Sequence, residues 1–173
     1  LQYTGGTTGI PKGAVLTHGN LVANVQQMAA WMARDLMDGK EVFVCPLPLY
    51  HVYALTSSLV FMKLGAHTVL VTNPKDMSAY IHDLKNYPFT IIIGVNTLYR
   101  ALLDAPGFVG VDTSALKLTN AGGMAVQRVV AERWKQRTGV TIIEGDGLTW
   151  PLSSSQWERA FITPSGTTSR GHA

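Results

Sequence analysis

A run of β-branched and apolar residues from Phe89 to Val95 constrains the fold of this chain more than any other segment. Strands buried on both faces of a parallel sheet have this composition, because helices cover them on each side. Other short apolar runs are typical of strands as well. They cover residues 14–16, 42–47, 67–71, 116–120 and 140–144.

Helical patterns separate these apolar runs. The pattern predicts helices over residues 17–34, 54–64, 76–86, 96–105 and 125–138. Thr17 is the expected N-cap of the first helix, and Gly65 closes the second. In the last helix we expect the inward side chains to be those of Val126, Val129, Val130 and Trp134.

Alternation of strand and helix, repeated about five times, predicts an α/β fold with a mostly parallel sheet and helices on both faces. In such sheets ligands bind beyond the carboxyl ends of the strands. Loops that follow strands are therefore the places where a functional site is expected.

Residues 3–13, YTGGTTGIPKG, combine glycines, threonine hydroxyls and one lysine, Lys12. Glycines let backbone N–H groups turn inward, and the run as a whole suits a polyphosphate. A flexible surface loop is the alternative interpretation. The common phosphate-loop pattern is disfavoured, since Pro11 precedes the lysine and Gly13 follows it.

Three later loops are further candidates. Residues 46–51, PLPLYH, place His51 after a strand, where it could touch a carboxylate or simply form a hydrogen bond within the loop. Residues 120–124, NAGGM, and 144–149, EGDGLT, each bring a glycine pair to a strand end. If those two strands are neighbours, their loops could hold a base, although tight structural turns explain the glycines about as well.

Bulk composition excludes several classes of protein. Hydrophobic residues make up 46% of the chain and charged residues only 14%, which predicts faces that meet other protein. The net charge of +3 is scattered, so nucleic acid is not an expected partner. Cys45 is the single cysteine, expected to be buried and inert. The chain opens on Leu1 without an initiator Met, and we expect a piece of a longer protein.

Taken in order, residues 3–13, 48–51, 120–124 and 144–149 resemble successive core motifs of the adenylate-forming superfamily. The segments between them look most like bacterial long-chain fatty acid–CoA ligases. The resemblance implies that residues 1–149 are part of the large N-terminal domain of such an enzyme. Residues 150–173 show no period of 2 or 3.6 and are expected to be a disordered tail outside the family pattern.

The resemblance also implies roles for particular residues. His51 would border the acyl tunnel near the reacting carboxylate, Thr149 would reach the α-phosphate, and Thr4 would assist Mg²⁺. The remaining residues would contact either the phosphates or the adenine of the nucleotide. They are Thr4, Gly5, Gly6, Thr7, Thr8, Gly9 and Lys12 for phosphate, and Gly122, Gly123, Glu144, Gly145, Asp146 and Gly147 for adenine.

Enzymes of this kind join a fatty acid to CoA with ATP and Mg²⁺, through an acyl-adenylate. The resemblance therefore implies ATP, Mg²⁺ and CoA as cofactor and co-substrates, a long-chain fatty acid as substrate, and a cytoplasmic location with peripheral contact at the inner face of the membrane. We expect the 173-residue chain to be inactive by itself. A non-catalytic nucleotide-binding module and a ligase for another carboxylic acid are the alternatives.

Two positions depart from the family pattern. Asp146 stands where the family has an aromatic residue that stacks on adenine, and Trp150 stands where it has a glutamate that binds Mg²⁺. A tryptophan offers no oxygen ligand to magnesium. Because the similarity and the periodicity end at the same residue, we hypothesise a shifted reading frame near codon 150.

This hypothesis makes a prediction about the DNA. Translation of the encoding DNA in one of the other two reading frames is expected to give a continuation with glutamate directly after Thr149. DNA in which neither frame gives that glutamate would contradict the hypothesis.

Overall fold

The computed structural model describes residues 1–4, 12–145 and 163–164. Within them are eight strands and five α-helices. In chain order β1 to β8 cover Gln2–Thr4, Lys12–Ala14, Val42–Cys45, His67–Leu70, Ile91–Gly94, Leu118–Gly122, Ile142–Gly145 and Thr163–Pro164. Helices α1 to α5 cover His18–Met32, Val52–Lys63, Met77–Asn86, Asn96–Asp104 and Arg128–Thr138, and a 3-10 helix covers Pro106–Gly110.

Five parallel strands form the main sheet in the order β4-β3-β5-β6-β7, with β8 added antiparallel at the β7 edge. Strand β5, predicted to be buried on both faces, is buried along its whole length and lies in the middle of the five parallel strands. This confirms the α/β fold class and the parallel sheet.

Alternate residues of the central strands point to opposite faces. Val44 and Ile92 belong to one buried cluster, with side chains of α3, α4 and α5. Phe43 and Ile91 belong to the other, with side chains of α1 and α2. The prediction of helices on both faces is therefore confirmed.

Local signals place most of the helix ends. Thr17 caps α1 in a capping box, in which its hydroxyl accepts from the Asn20 N–H and the Asn20 side chain accepts from the Thr17 N–H. Gly65 follows α2 with φ +66°, in the left-handed region that favours glycine. Cys45 is buried as expected, and burial raises the pKa of its thiol.

Three sequence predictions need correction. Val129 was predicted to face inward together with Val126, Val130 and Trp134, but it is 58% exposed while the other three are buried as predicted. Val129 and Trp134 lie about 140° apart around a helix, so they cannot share one buried face. Helix α5 also begins at Arg128, later than predicted. Strand β6 covers Leu118–Gly122 and not 116–120, so its first glycine lies inside the strand. The strand predicted over 14–16 ends at Ala14 and pairs antiparallel with the unpredicted β1.

A buried ion pair lies at the opposite end of the sheet from the candidate loops. The carboxylate of Glu41, just before β3, has no exposed surface and accepts hydrogen bonds from Lys117 Nζ (2.7 Å) and the Met37 N–H (2.8 Å). Burial alone would raise the pKa of Glu41, but these hydrogen bonds and the lysine charge outweigh it and hold the pKa below its usual value.

The pH dependence of this pair can be predicted. Because the folded-state pKa of Glu41 is lowered, the carboxylate contributes stability above its unfolded-state pKa of about 4.3 and loses that contribution as the pH falls through the folded-state value. We expect Lys117→Met to lower the free energy of unfolding at pH 7 by about 1–3 kcal/mol, less than for a fully buried pair because Lys117 is partly exposed. Urea unfolding of the original chain and of Lys117→Met at pH 7 and at pH 3.5 measures this loss, which is expected to be smaller at pH 3.5.

The matched control is Arg128→Met, which removes the exposed pair with Glu132 and is expected to leave the unfolding midpoint unchanged. A loss for Lys117→Met that stays the same at both pH values would contradict the prediction.

Candidate functional site

The described candidate residues lie at the carboxyl edge of the sheet and in the adjoining hairpin. Gly122 ends β6 and is directly paired with Gly145, which ends β7. Strands β6 and β7 are therefore neighbours, and their glycine ends lie side by side. Gly123 follows with φ +79°, is exposed, and has open space where a Cβ would lie. This bend exposes backbone that a flat ring could approach.

The predicted phosphate-binding run spans an antiparallel hairpin. Thr4 ends β1 and Lys12 begins β2, and the two residues are paired directly across the hairpin. Residues 5–11, which include Gly5, Gly6, Thr7, Thr8 and Gly9, connect the two strands and lie outside the described residues. Their predicted role stays a prediction.

The hairpin is joined to the His51 loop. The side-chain amide of Gln2, in β1, donates to the Tyr50 carbonyl (3.0 Å). His51 follows at once as the N-cap of α2, where its Nδ1 accepts from the Tyr53 N–H (3.3 Å). The imidazole is exposed. Both interpretations of His51 remain open, since a capping imidazole with an exposed ring can still meet a carboxylate.

Glu144 has a structural partner. Its Oε1 accepts from the Val126 N–H (3.2 Å), while Asn96 Oδ1 accepts from the Gln127 N–H (2.9 Å). Together these two side chains hold the end of the loop between β6 and α5. The carboxylate of Glu144 therefore positions the glycine bend, and a contact of this residue with adenine stays a prediction.

Asn120 is a site component that sequence reasoning did not single out by itself. Its Oδ1 accepts from the Tyr53 hydroxyl, its Nδ2 donates to the Ile143 carbonyl (3.2 Å), and its own carbonyl accepts from the Tyr99 hydroxyl (2.6 Å). One residue in β6 thus connects α2, α4 and β7. The only signal in the sequence was its place directly before the glycine pair.

Two tyrosine rings explain why two strands end in glycine. A Cβ on Gly122 would lie 3.0 Å from Cε1 and Cζ of Tyr53, and a Cβ on Gly94 would lie 3.0 Å from Cζ of Tyr99. Tyr53 comes from α2 on one face of the sheet and Tyr99 from α4 on the other. Packing therefore requires these glycines whether or not a ligand approaches them.

The remaining predicted residues, Asp146, Gly147 and Thr149, lie outside the described residues, as does Trp150. No group of three or more His, Cys, Asp or Glu side chains that could hold a metal occurs in the part of the chain that the structure describes. The Mg²⁺ site therefore stays a prediction from the resemblance. Among the same residues, none of the helices has the length and apolar character needed to cross a membrane.

Glycine ends on adjacent parallel strands, together with a hairpin joined to the His51 loop, agree with the family that the motifs resemble. The AMP-binding enzyme family matches residues 1–150, and the chain therefore belongs to that family. Over 150 residues it is 53% identical to the long-chain-fatty-acid–CoA ligase of Escherichia coli O6:H1, a match that covers 86% of this chain and 27% of that protein. The chain thus spans about a quarter of the length of the relatives it matches.

Solved structures agree with this assignment. ATP-bound MatB from Rhodopseudomonas palustris is 27% identical, with a TM-score of 0.71, and the match covers 85% of this chain and 28% of that one. The N-terminal domain of FACL13 from Mycobacterium tuberculosis, solved with an inhibitor, gives a TM-score of 0.76 at 22% identity, over 88% of this chain and 37% of that one. The second likeness concerns the fold alone.

The contact between Gly122 and Tyr53 gives a prediction for stability. Gly122→Ala forces a Cβ against a ring that its hydroxyl bond holds in place, so we expect a loss of about 1–3 kcal/mol in the free energy of unfolding. Urea unfolding followed by circular dichroism measures it.

Gly19→Ala is the matched control, because a Cβ there meets only Thr17 Oγ1 at an ordinary 3.5 Å within α1. It is expected to stabilise the chain by about 0.5–1 kcal/mol through helix propensity. A Gly122→Ala chain as stable as the original would show that the ring moves freely.

Proposed function

We propose that this chain is the nucleotide-binding portion of a long-chain fatty acid–CoA ligase. The observation that carries the proposal is the paired glycine ends of β6 and β7, in a chain 53% identical to such a ligase. The proposed domain is residues 1–149, and residues 150–173 lie beyond it.

In the proposed reaction a fatty carboxylate oxygen attacks the α-phosphorus of ATP, and the bond to pyrophosphate breaks. The CoA thiol, having lost its proton, then attacks the acyl carbonyl, and AMP leaves. The first step concentrates negative charge on the departing pyrophosphate, and preorganised N–H and hydroxyl donors lower the energy of such charge.

Each described element has a proposed part in binding. The hairpin that joins Thr4 to Lys12 offers donors to the β- and γ-phosphates, and the register between these two residues fixes the two ends of that loop. The exposed bend at Gly123 lets adenine approach bare backbone. The exposed imidazole of His51, joined to the hairpin through Tyr50 and Gln2, lies on the side proposed for the carboxylate.

ATP is supported by the family and by the ATP-bound relative. Mg²⁺ and CoA rest on the resemblance, as do Thr4 and Thr149 as contacts of the metal and the α-phosphate. A cytoplasmic location with peripheral membrane contact is proposed on the same basis, because the substrate partitions into lipid.

A segment exchange tests the proposal. Residues 1–145 replace the matching segment of the Escherichia coli ligase, and pyrophosphate release and acyl-CoA formation are measured with palmitate, ATP, Mg²⁺ and CoA. We expect the exchanged enzyme to form palmitoyl-CoA, and the 173-residue chain alone to form none. Lys12→Ala in the exchanged enzyme is expected to lower kcat/KM at least tenfold, since the positive charge proposed to contact the phosphates is removed.

Lys135→Ala is the matched control, because this exposed lysine lies in the last turn of α5, at the opposite end of the sheet. An exchanged enzyme that binds ATP but forms no acyl-CoA would favour the non-catalytic module. The other alternative is a ligase for short, aromatic or amino acids. It is tested by measuring the activity of the intact parent enzyme with a series of such acids and with fatty acids of different length.

A further inference from the structure

Tyr53 connects the helix that His51 caps to the strand that ends in the glycine bend. It lies two residues after His51, in the first turn of α2. Its hydroxyl donates to Asn120 Oδ1, and its ring packs against Gly122. One side chain therefore packs against Gly122 and donates a hydrogen bond to Asn120, two residues before it.

The other polar groups of Asn120 are hydrogen-bonded as well. Asn120 Nδ2 donates to the Ile143 carbonyl in β7, and the Asn120 carbonyl accepts from the Tyr99 hydroxyl. Strand β7 and helix α4 thus hold the amide nitrogen and the backbone carbonyl of Asn120, and the Tyr53 hydroxyl holds its side-chain oxygen, two residues before Gly122.

We propose that Tyr53 is a positioning residue for the nucleotide, which acts through Asn120 to fix the Gly122–Gly123 bend. This inference rests on the proposed function, in that it takes the bend to be the adenine side of the site. Tyr53 does not touch the reacting atoms in this assignment. Its effect is on how well the bend is shaped before ATP arrives, and preorganisation of this kind affects affinity.

Tyr80 provides a matched comparison inside the same chain. It too is a buried tyrosine packed in the core, but its hydroxyl has no hydrogen-bond partner among the described residues. Burial raises the pKa of both tyrosines well above the usual value, so both hydroxyls stay neutral near pH 7. Removing each hydroxyl therefore compares one that bonds the bend with one that does not.

The kinetic test uses the exchanged enzyme with Tyr53→Phe and Tyr80→Phe. For Tyr53→Phe we expect the KM for ATP to rise about three- to tenfold, the effect of losing one hydrogen bond, with kcat within about twofold and the KM for palmitate unchanged. Tyr80→Phe is expected to change none of the three. A purely structural role for Tyr53 would lower the active fraction, and so kcat, without this selective rise in the KM for ATP.

A second measurement uses the full 173-residue chain and needs no turnover. Amide hydrogen exchange of residues 121–127 is compared among the original chain and the two variants. We expect exchange there to be at least threefold faster in Tyr53→Phe and unchanged in Tyr80→Phe, since only the first variant frees the bend.

The outcomes separate the two proposals. An exchanged enzyme with no ligase activity contradicts the proposed function. The amide hydrogen exchange of residues 121–127 then decides whether Tyr53 holds the bend. Normal ligase activity with an unchanged KM for ATP in Tyr53→Phe overturns the positioning role. Amide hydrogen exchange that is faster throughout the Tyr53→Phe chain, and not selectively at residues 121–127, overturns it as well.

Discussion

The rest of the structure depends on the pairing of β5 with β3 on one side and β6 on the other. Strand β5 has no exposed residue, and its alternate side chains supply both cores. Parallel strands need helical crossovers, so a buried central strand of this kind also requires helices on both faces. The parallel order of the strands brings the carboxyl ends of β6 and β7 to one edge of the sheet, where the two glycine loops begin.

At that edge the tyrosines of the two layers meet at one residue. Tyr53 from one face and Tyr99 from the other both donate to Asn120, and each packs its ring on a glycine at a strand end. Gly122, a candidate adenine contact from the sequence, is therefore required by packing as well. Gly123 differs, because its positive φ and open surroundings leave it free for a ligand.

Much of the fold follows from the sequence, because apolar runs and caps are local signals. The run at 89–95 predicts a strand buried on both faces, and Thr17 predicts the start of α1. The sequence left open whether the strands before the two glycine loops are neighbours, and only the sheet shows that they are. The exposed Val129 shows where the prediction was too broad, since Val129 and Trp134 lie about 140° apart around a helix and only Trp134 faces the core.

The site could be predicted only in part, for a related reason. Glycines and histidines attract notice in a sequence, whereas a tyrosine within an apolar helix does not. The partners of Tyr53 and Tyr99 lie 67 and 21 residues away along the chain, so only the folded sheet brings these hydroxyls to Asn120. The hairpin of β1 and β2 was missed because each strand has only three residues and shows no clear alternation.

The cap that His51 places on α2 has a consequence for the chemistry of its ring. A ring nitrogen that accepts a hydrogen bond cannot carry a hydrogen of its own, and Nδ1 accepts from the backbone of Tyr53. The helix start thereby selects one tautomer of the neutral imidazole, the one protonated at Nε2. A molecule that reaches this exposed side chain meets an N–H group, which suits an oxygen atom of a carboxylate better than a proton donor.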